Sequence, residues 1–255
     1  MFPAYFFTSA GAIPSVKVRP RLYVLLFIVV WIPLKFESIS KSTPEVGVIV
    51  KLPPVPGADV NSVKSNPYVG VVCGTLESFE ICKILRSQGK GGGAKAYLMM
   101  GELSNQAAVQ RTKDVDDVLG MDMCNFIEII DRQTANWSRE QANSLMTNWL
   151  SSGEEFDAVF ANNDEMAIGA IQAMKSAGLD MDVIVVGGVD ATQDALAAMQ
   201  AGDLDVTVFQ NAAGQGSGAL NAAIALANGE DVDQKVYIPF ELVTPANINN
   251  YLSKN

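Results

Sequence analysis

The sequence contains no histidine. That absence removes the commonest general base and the commonest metal ligand, and with them His-dependent triads, zinc hydrolase sites and His-based metal centres. Cysteine is scarce: Cys73, Cys82 and Cys124 are the only three, with no C-x-x-C pair among them. Neither a zinc site nor a disulfide framework is therefore indicated, and all three read as buried small hydrophobes. Basic residues are outnumbered, 18 Lys and Arg against 28 Asp and Glu, for a formal charge of -10. Phosphate binding needs a basic stripe and counterion release, so nucleic acid is not an expected partner. No nucleophile motif, metal cluster or intact phosphate loop is present, so the chain reads as a non-enzyme with no metal, no cofactor and no catalytic residue.

What is present is enough apolar sequence, 49% of 255 residues with 18% charged, to bury a core. Near the start, Lys17, Arg19 and Arg21 precede the apolar run Leu22 to Leu34, and Ser38-Ile39-Ser40 follows it. This is the order of a secretory signal peptide, and the run is too short for a comfortable membrane span, so export is expected. From Pro67 onward, short β-rich runs alternate with longer segments of helical spacing. Tyr68 to Cys73, Ala94 to Met100, Phe126 to Asp131, Ala158 to Ala161, Val183 to Val186, Val206 to Phe209 and Lys235 to Phe240 read as strands. Val46 to Val50 imitates a strand before the break at Pro53, Pro54, Pro56 and Gly57.

Ser138-Arg139-Glu140-Gln141 has capping-box order and predicts a helix to about Leu150. Asp164 is placed to cap a helix running to Ser176, stopped by Gly178, and Ser104 and Thr192 are candidate caps for two more. Strand-helix-strand repeated in this way predicts an α/β fold, a doubly wound parallel sheet with helices on both faces. Ligands of such sheets bind in the crevice at the strands' carboxyl ends.

That rule selects residues. Gln133 to Trp137, Asn162-Asn163-Asp164, Asp190 and Gln210 follow predicted strands, and Arg111 is available from the helix after Met100. Amides, carboxylates and a large aromatic suit a polyhydroxylated ring: paired donors and acceptors for vicinal hydroxyls and a flat face for the C–H side. Each has a plainer reading. Trp137 alone would more often be packing, Asn163 a turn or capping residue, Asp190 a loop or helix-start residue, and Arg111 a solvated helix charge. Gly214-x-Gly216-x-x-Ala219 loosely matches a dinucleotide fingerprint, but Gln210 to Ala213 intervene after the strand, so these glycines read as close helix packing. Gly89-Lys90-Gly91-Gly92-Gly93 precedes a strand where a phosphate loop would follow one, and reads as a turn.

The segments Gln133 to Arg139, Phe160-Ala-Asn-Asn-Asp-Glu-Met-Ala-Ile-Gly-Ala170, Val185 to Thr192 and Asp205-Val-Thr-Val-Phe-Gln210 resemble the type I periplasmic sugar-binding proteins, especially those for inositol, rhizopine or ribose. The resemblance runs from about Tyr68 to the C-terminus. It implies two Rossmann-like lobes joined by three strands that close over one sugar, with the closed form docking onto an ABC permease as a periplasmic monomer. Carried over by motif, Arg111 and Asn163 would hydrogen-bond hydroxyls, Trp137 would stack on the ring, and Asp190 and Gln210 would contribute from the hinge side. Trp137 stands where ribose receptors often carry Phe, which favours an inositol-like ligand.

The family's N-terminal lobe normally supplies about a hundred residues before the Tyr68 strand, and its aromatic and Asp-Arg ligands are not found here. The expected organisation is therefore 1–45 an apolar leader or aberrant start, 46–75 a remnant of an incomplete N-terminal lobe and hinge, and 76–190 the ligand-binding C-terminal lobe. Residues 191–243 would return to the N-terminal lobe, with 244–255 a tail, and helices within 194–228 would lack sheet partners. Two other functions share the fold: the ligand-sensing domain of a lactose-repressor-type regulator, which would need a basic helix-turn-helix near the start, and a non-functional fragment.

Overall fold

The computed structural model describes residues 37–38, 46–51, 73–233 and 235–254. The expected leader, the break at Pro53 to Gly57 and most of the Tyr68 strand lie outside them. The described elements are β1 (Glu37–Ser38), β2 (Val46–Lys51), α1 (Cys73–Ser87), β3 (Ala94–Met100), α2 (Gln106–Leu119), β4 (Ile127–Thr134), α3 (Arg139–Leu150), β5 (Ala158–Ala161), α4 (Asp164–Ser176), β6 (Val185–Gly187), α5 (Gln193–Gln200), β7 (Thr207–Gln210), α6 (Ala212–Asn228) and β8 (Lys235–Val243).

Two sheets result. One is parallel, in the order β4-β3-β5-β6; the other is antiparallel, in the order β1-β2-β8-β7. They meet where β7 runs parallel to the continuation of β6: the amide of Asp190 donates to Val208 O at 2.9 Å, and Gly188 donates to Val206 O at 2.9 Å.

Period-2 alternation explains how the parallel sheet is covered on both faces. Ala96 and Leu98 of β3 and Phe160 of β5 point to one face, where Ile81, Cys82 and Leu85 of α1 and Val115 and Val118 of α2 bury them. Tyr97, Met99, Val159 and Ala161 point to the other, against Met146 and Trp149 of α3, Met166, Ile171 and Met174 of α4, and Leu196 and Met199 of α5. Tyr97 stacks on Trp149 with centroids 4.3 Å apart, and the Trp149 indole N–H donates to Asp131 at 2.7 Å, so that buried ring keeps its polar end satisfied.

Several local readings change. Cys73 opens α1 and does not end a strand. The Phe126 strand starts at Ile127 and runs on to Thr134, while Val183 closes a short 3-10 turn before β6. Ser138 caps α3 as expected, its hydroxyl accepting from Gln141 N, and Thr192 caps α5. The caps of α2 and α4 are Asn105 and Asn163, each one residue away from the expected pair: Asn163 is after Phe160-Ala-Asn and Asp164 is already helical. In both cases the amide oxygen reaches the free amide two or three residues on, from the extended backbone that a cap requires. Gly178, at φ +80, follows α4 in the left-handed conformation that ends it.

The cysteine reading is overturned. Cys82 in α1 and Cys124 in the turn before β4 form a disulfide across 42 residues, and only Cys73 is free. The expected lack of sheet partners fails for α5, whose Ala195, Leu196 and Met199 are buried in the parallel-sheet core. It fails for α6 as well, which lies over β8 and β2, although Leu220 and Ile224 of that helix stay exposed. Gly214 belongs to the α6 cap, donating to Asn211 Oδ1 at 2.7 Å, and Gly218 approaches Ile238, so only part of that glycine pattern serves sheet packing.

Candidate functional site

The chain leaves β3 towards β4 on one side and leaves β5 towards β6 on the other. Adjacent strands whose connections diverge leave a crevice beyond their carboxyl ends. The residues beside this crevice are Gly101 after β3, Asn162 and Asn163 after β5, Arg111 from α2 and Trp137 from the loop after β4.

Arg111 is the centre of the cluster. Its side chain is buried, and its Nη1 donates to the backbone carbonyl of Asn162 while Nη2 donates to Gln210 Oε1 at 2.9 Å. Asp190 Oδ1 lies 3.6 Å from Nη2, and the guanidinium carbon sits 5.5 Å from the centroid of the Trp137 ring. Burial works against the charge of Arg111, but the Cys73 sulfur and the Asp190 carboxylate beside it work for it, and the guanidinium ends above its ordinary range. It is a fixed cation, already oriented by three strand ends before anything binds.

Trp137 reaches this position through strain. Asn136 and Trp137 both have left-handed backbone, φ 51 and 65, which side chains with a Cβ rarely adopt. The turn carries the indole back over Gly101, where a Cβ would come within 2.2 to 2.3 Å of three ring atoms. Only glycine fits there. Asp190 is likewise at positive φ, 125, and its side chain is about one-third exposed.

The five residues selected from sequence therefore divide. Arg111, Trp137, Asp190 and Gln210 form one contact group around the guanidinium. Asn163 stands beside them but spends its amide oxygen on the cap of α4, accepting from Met166 N at 3.1 Å. Gln133 points away, donating to Asp131 on the outer strand.

Beneath the rim lie buried acids, of which the strand-end rule had selected Asp164 but neither Glu77 nor Asp114. Glu77 of α1 is fully buried and accepts the Ala161 amide at 3.1 Å, and burial raises its carboxyl well above the ordinary range. Asp114 of α2 is pushed up to about 7, chiefly by burial. Asp164 accepts Thr207 Oγ1 at 2.7 Å and the Thr192 amide at 2.8 Å, tying α4 to β7 and the α5 cap; burial and the neighbouring Asp190 raise its carboxyl. Burial also pushes the Cys73 thiol up to about 11, so it is neutral. One guanidinium cannot balance four ionised carboxylates in a desolvated site, and the protons stay on part of the set. The signal for Glu77 was its place on the buried stripe Glu77, Ile81, Leu85 of α1.

Among the described residues no group of acids and cysteines has the arrangement of a metal site. A depression of about 720 Å³ lies at the opposite end of the parallel sheet, lined by Lys90, Lys95, Phe126, Glu154 and Asp157 among others. Its lysines are paired with Asp157 and Glu154, and it is remote from Arg111.

Comparison with known proteins agrees with this architecture. The periplasmic binding protein domain family matches residues 79–231. A Rhizobium meliloti protein named for rhizopine binding is 64% identical over 182 residues, 71% of this chain and 57% of that protein. A xylitol-binding protein of Mycolicibacterium smegmatis is 36% identical over 160 residues, covering 62% of this chain and 45% of its own length. Among solved structures, an ABC transporter solute binding protein from Bacillus halodurans with bound myo-inositol superposes with a TM-score of 0.65 at 43% identity, covering 72% of this chain and 61% of that one. The chain belongs to the periplasmic binding protein domain family, in its type I sugar-binding branch. It spans about half the length of the curated relatives it matches.

Proposed function

We propose that this chain acts in a non-enzymatic solute-binding protein that captures a neutral sugar or inositol-like cyclitol and delivers it to an ABC permease. The observation that carries the reading is the Arg111 guanidinium held 5.5 Å from the Trp137 ring at the sheet's switch point, with Asp190 and Gln210 within its reach. A cation whose charge is matched by Asp190 offers directed N–H donors without demanding an anion, and the indole offers a face for ring C–H groups. Asn163 would add its amide NH2 from the cap of α4. The names of the similar proteins, which speak of rhizopine, xylitol and myo-inositol, support the ligand class.

In this reading the Lys17 to Ser40 segment is an export signal, the protein works in the periplasm as a monomer, and no nucleic acid takes part. Residues 46–75 and the part of 191–243 that follows α5 belong with a second lobe, and 76–190, with α5 packed on it, is the ligand-binding one.

Calorimetric titration with myo-inositol, ribose and glucose tests it. Trp137→Ala should weaken binding by about 1–3 kcal/mol, the scale of one large apolar contact. Arg111→Ala should weaken it at least as much. For Asn163 the informative change is Asn163→Asp, which keeps the helix cap and removes the amide donors. Wild-type binding that all three variants retain would place the ligand elsewhere.

A further inference from the structure

The site has a component that no ligand can touch. Asn162 is fully buried, yet it is bonded to both Arg111 and Gly101 of the site around it. Its backbone carbonyl accepts Arg111 Nη1. Its Oδ1 accepts the Gly101 amide at 3.1 Å and the Thr112 hydroxyl at 3.2 Å. Gly101 is the residue on which the Trp137 ring rests, and its own carbonyl is held by Thr134 Oγ1 at 2.7 Å. One side chain thus fixes the seat of the indole, one turn of α2 and, through the adjoining carbonyl, the guanidinium.

We infer that Asn162 is a positioning residue that sets where the Trp137 face stands relative to the Arg111 fork beside it, and so the fit of a ring bound against the two. The inference rests on the ligand reading above for its effect on affinity, but not for its effect on placement. The physical case is that neither Trp137 nor Arg111 is positioned by its own element alone. Trp137 stands on two left-handed residues and would relax if Gly101 moved, and Arg111 carries a long flexible stem. Two acceptor atoms of Asn162 hold both against β5. Among the described residues its buried Nδ2 has no hydrogen-bond partner, so the contacts of this side chain are those of its oxygen.

Three substitutions separate positioning from general stability. Asn162→Leu keeps the volume and deletes the acceptor; Asn162→Asp keeps an acceptor in the same place. Asn162→Ser is polar but too short to reach Gly101, and carries the comparison if the Leu variant does not fold. The readouts are residue-resolved amide exchange at Gly101, the indole N–H resonances of Trp137 and Trp149, and affinity for myo-inositol. With Leu or Ser, Gly101 exchange should accelerate at least about tenfold and the Trp137 resonance should move. Trp149, anchored to Asp131 away from the site, should stay. Myo-inositol affinity should fall about tenfold, the effect of one neutral hydrogen bond, and Asp should restore all three readouts to within about threefold of wild type. An unchanged Gly101 amide and Trp137 resonance in both the Leu and Ser variants would overturn the inference, as would equal movement of Trp149. If wild type binds no polyol, the ligand reading fails while the exchange and resonance measurements still decide what Asn162 holds.

Discussion

Reduction of the Cys82–Cys124 bridge should lower the stability of the lobe by about 4 kcal/mol. The bridge closes 42 residues of chain, from the middle of α1 across β3 and α2 to the turn before β4. Loop-closure entropy for that length gives about 4 kcal/mol at 25 °C, removed from the unfolded state. Native-state losses should be small. Both sulfurs are buried among Ile81, Leu85 and Val118, where neutral thiols pack well, and Arg86 still ties the turn to α1 through Met123 O at 2.8 Å and its stack on Phe126. The assay is urea unfolding followed by far-ultraviolet circular dichroism, for the oxidised protein, the same protein in reductant, and a Cys82→Ala, Cys124→Ala double variant. With a urea slope near 2 kcal/mol per molar, the midpoint should drop by about 2 M in both reduced and double-variant samples. The reductant should have no further effect on the double variant, since Cys73 is unpaired. Identical midpoints with and without reductant, from protein whose mass shows the bond intact beforehand, would refute the entropic reasoning.

Three further outcomes concern the buried acids, the seat of Trp137 and a surface ion pair. Asp114 and Asp205, held near pH 7 and 6 by burial, and Asp164 and Asp190, also raised, bind protons in the folded state that the unfolded chain has released, so stability should fall as pH rises from about 4 to 7. A thermal melt with a higher midpoint at pH 8 than at pH 5.5 would contradict this. Gly101→Ala should expel the Trp137 ring from its seat, costing about 1–3 kcal/mol of stability as an overpacked contact and most of the polyol affinity, read by melting and calorimetry. Arg139→Ala should cost only about 1 kcal/mol in urea unfolding although Arg139 pairs with both Glu165 and Asp194, because the network is at the surface; the loss should shrink in 0.5 M salt.

The strands and caps were legible where one local signal decided them. Ala94–Met100 and Ala158–Ala161 begin and end where their apolar runs do, and Ser138 and Thr192 cap where a hydroxyl precedes a periodic helix. Boundaries were displaced where two neighbours compete for one job, as with Asn163 and Asp164: both side chains can cap, and the extended backbone at Asn163 gives the role to the amide. Cys73 was misread because its apolar run looks the same entering a strand or a helix.

Of the site, the alternation of strand and helix together with the rule that ligands lie at strand ends selected Gln133 to Trp137, Asn162 to Asp164, Asp190 and Gln210, because chain direction alone fixes which end of a parallel strand a following residue occupies; the family resemblance narrowed these to Trp137, Asn163, Asp190 and Gln210 and added Arg111. What sequence order could not supply was which of them touch. The Cys82–Cys124 bridge, the seat of Trp137 on Gly101, and the convergence of Asn162, Gln210 and Asp190 on one guanidinium each join residues 36 to 99 positions apart or more than one strand away. Such pairings depend on strand order, helix placement and the side-chain reach left over once the two faces of the sheet are packed. Hydrophobic periodicity chose the layers; only the folded arrangement decided that Asn162 and Glu77, ordinary polar residues by their local sequence, would be buried behind the rim.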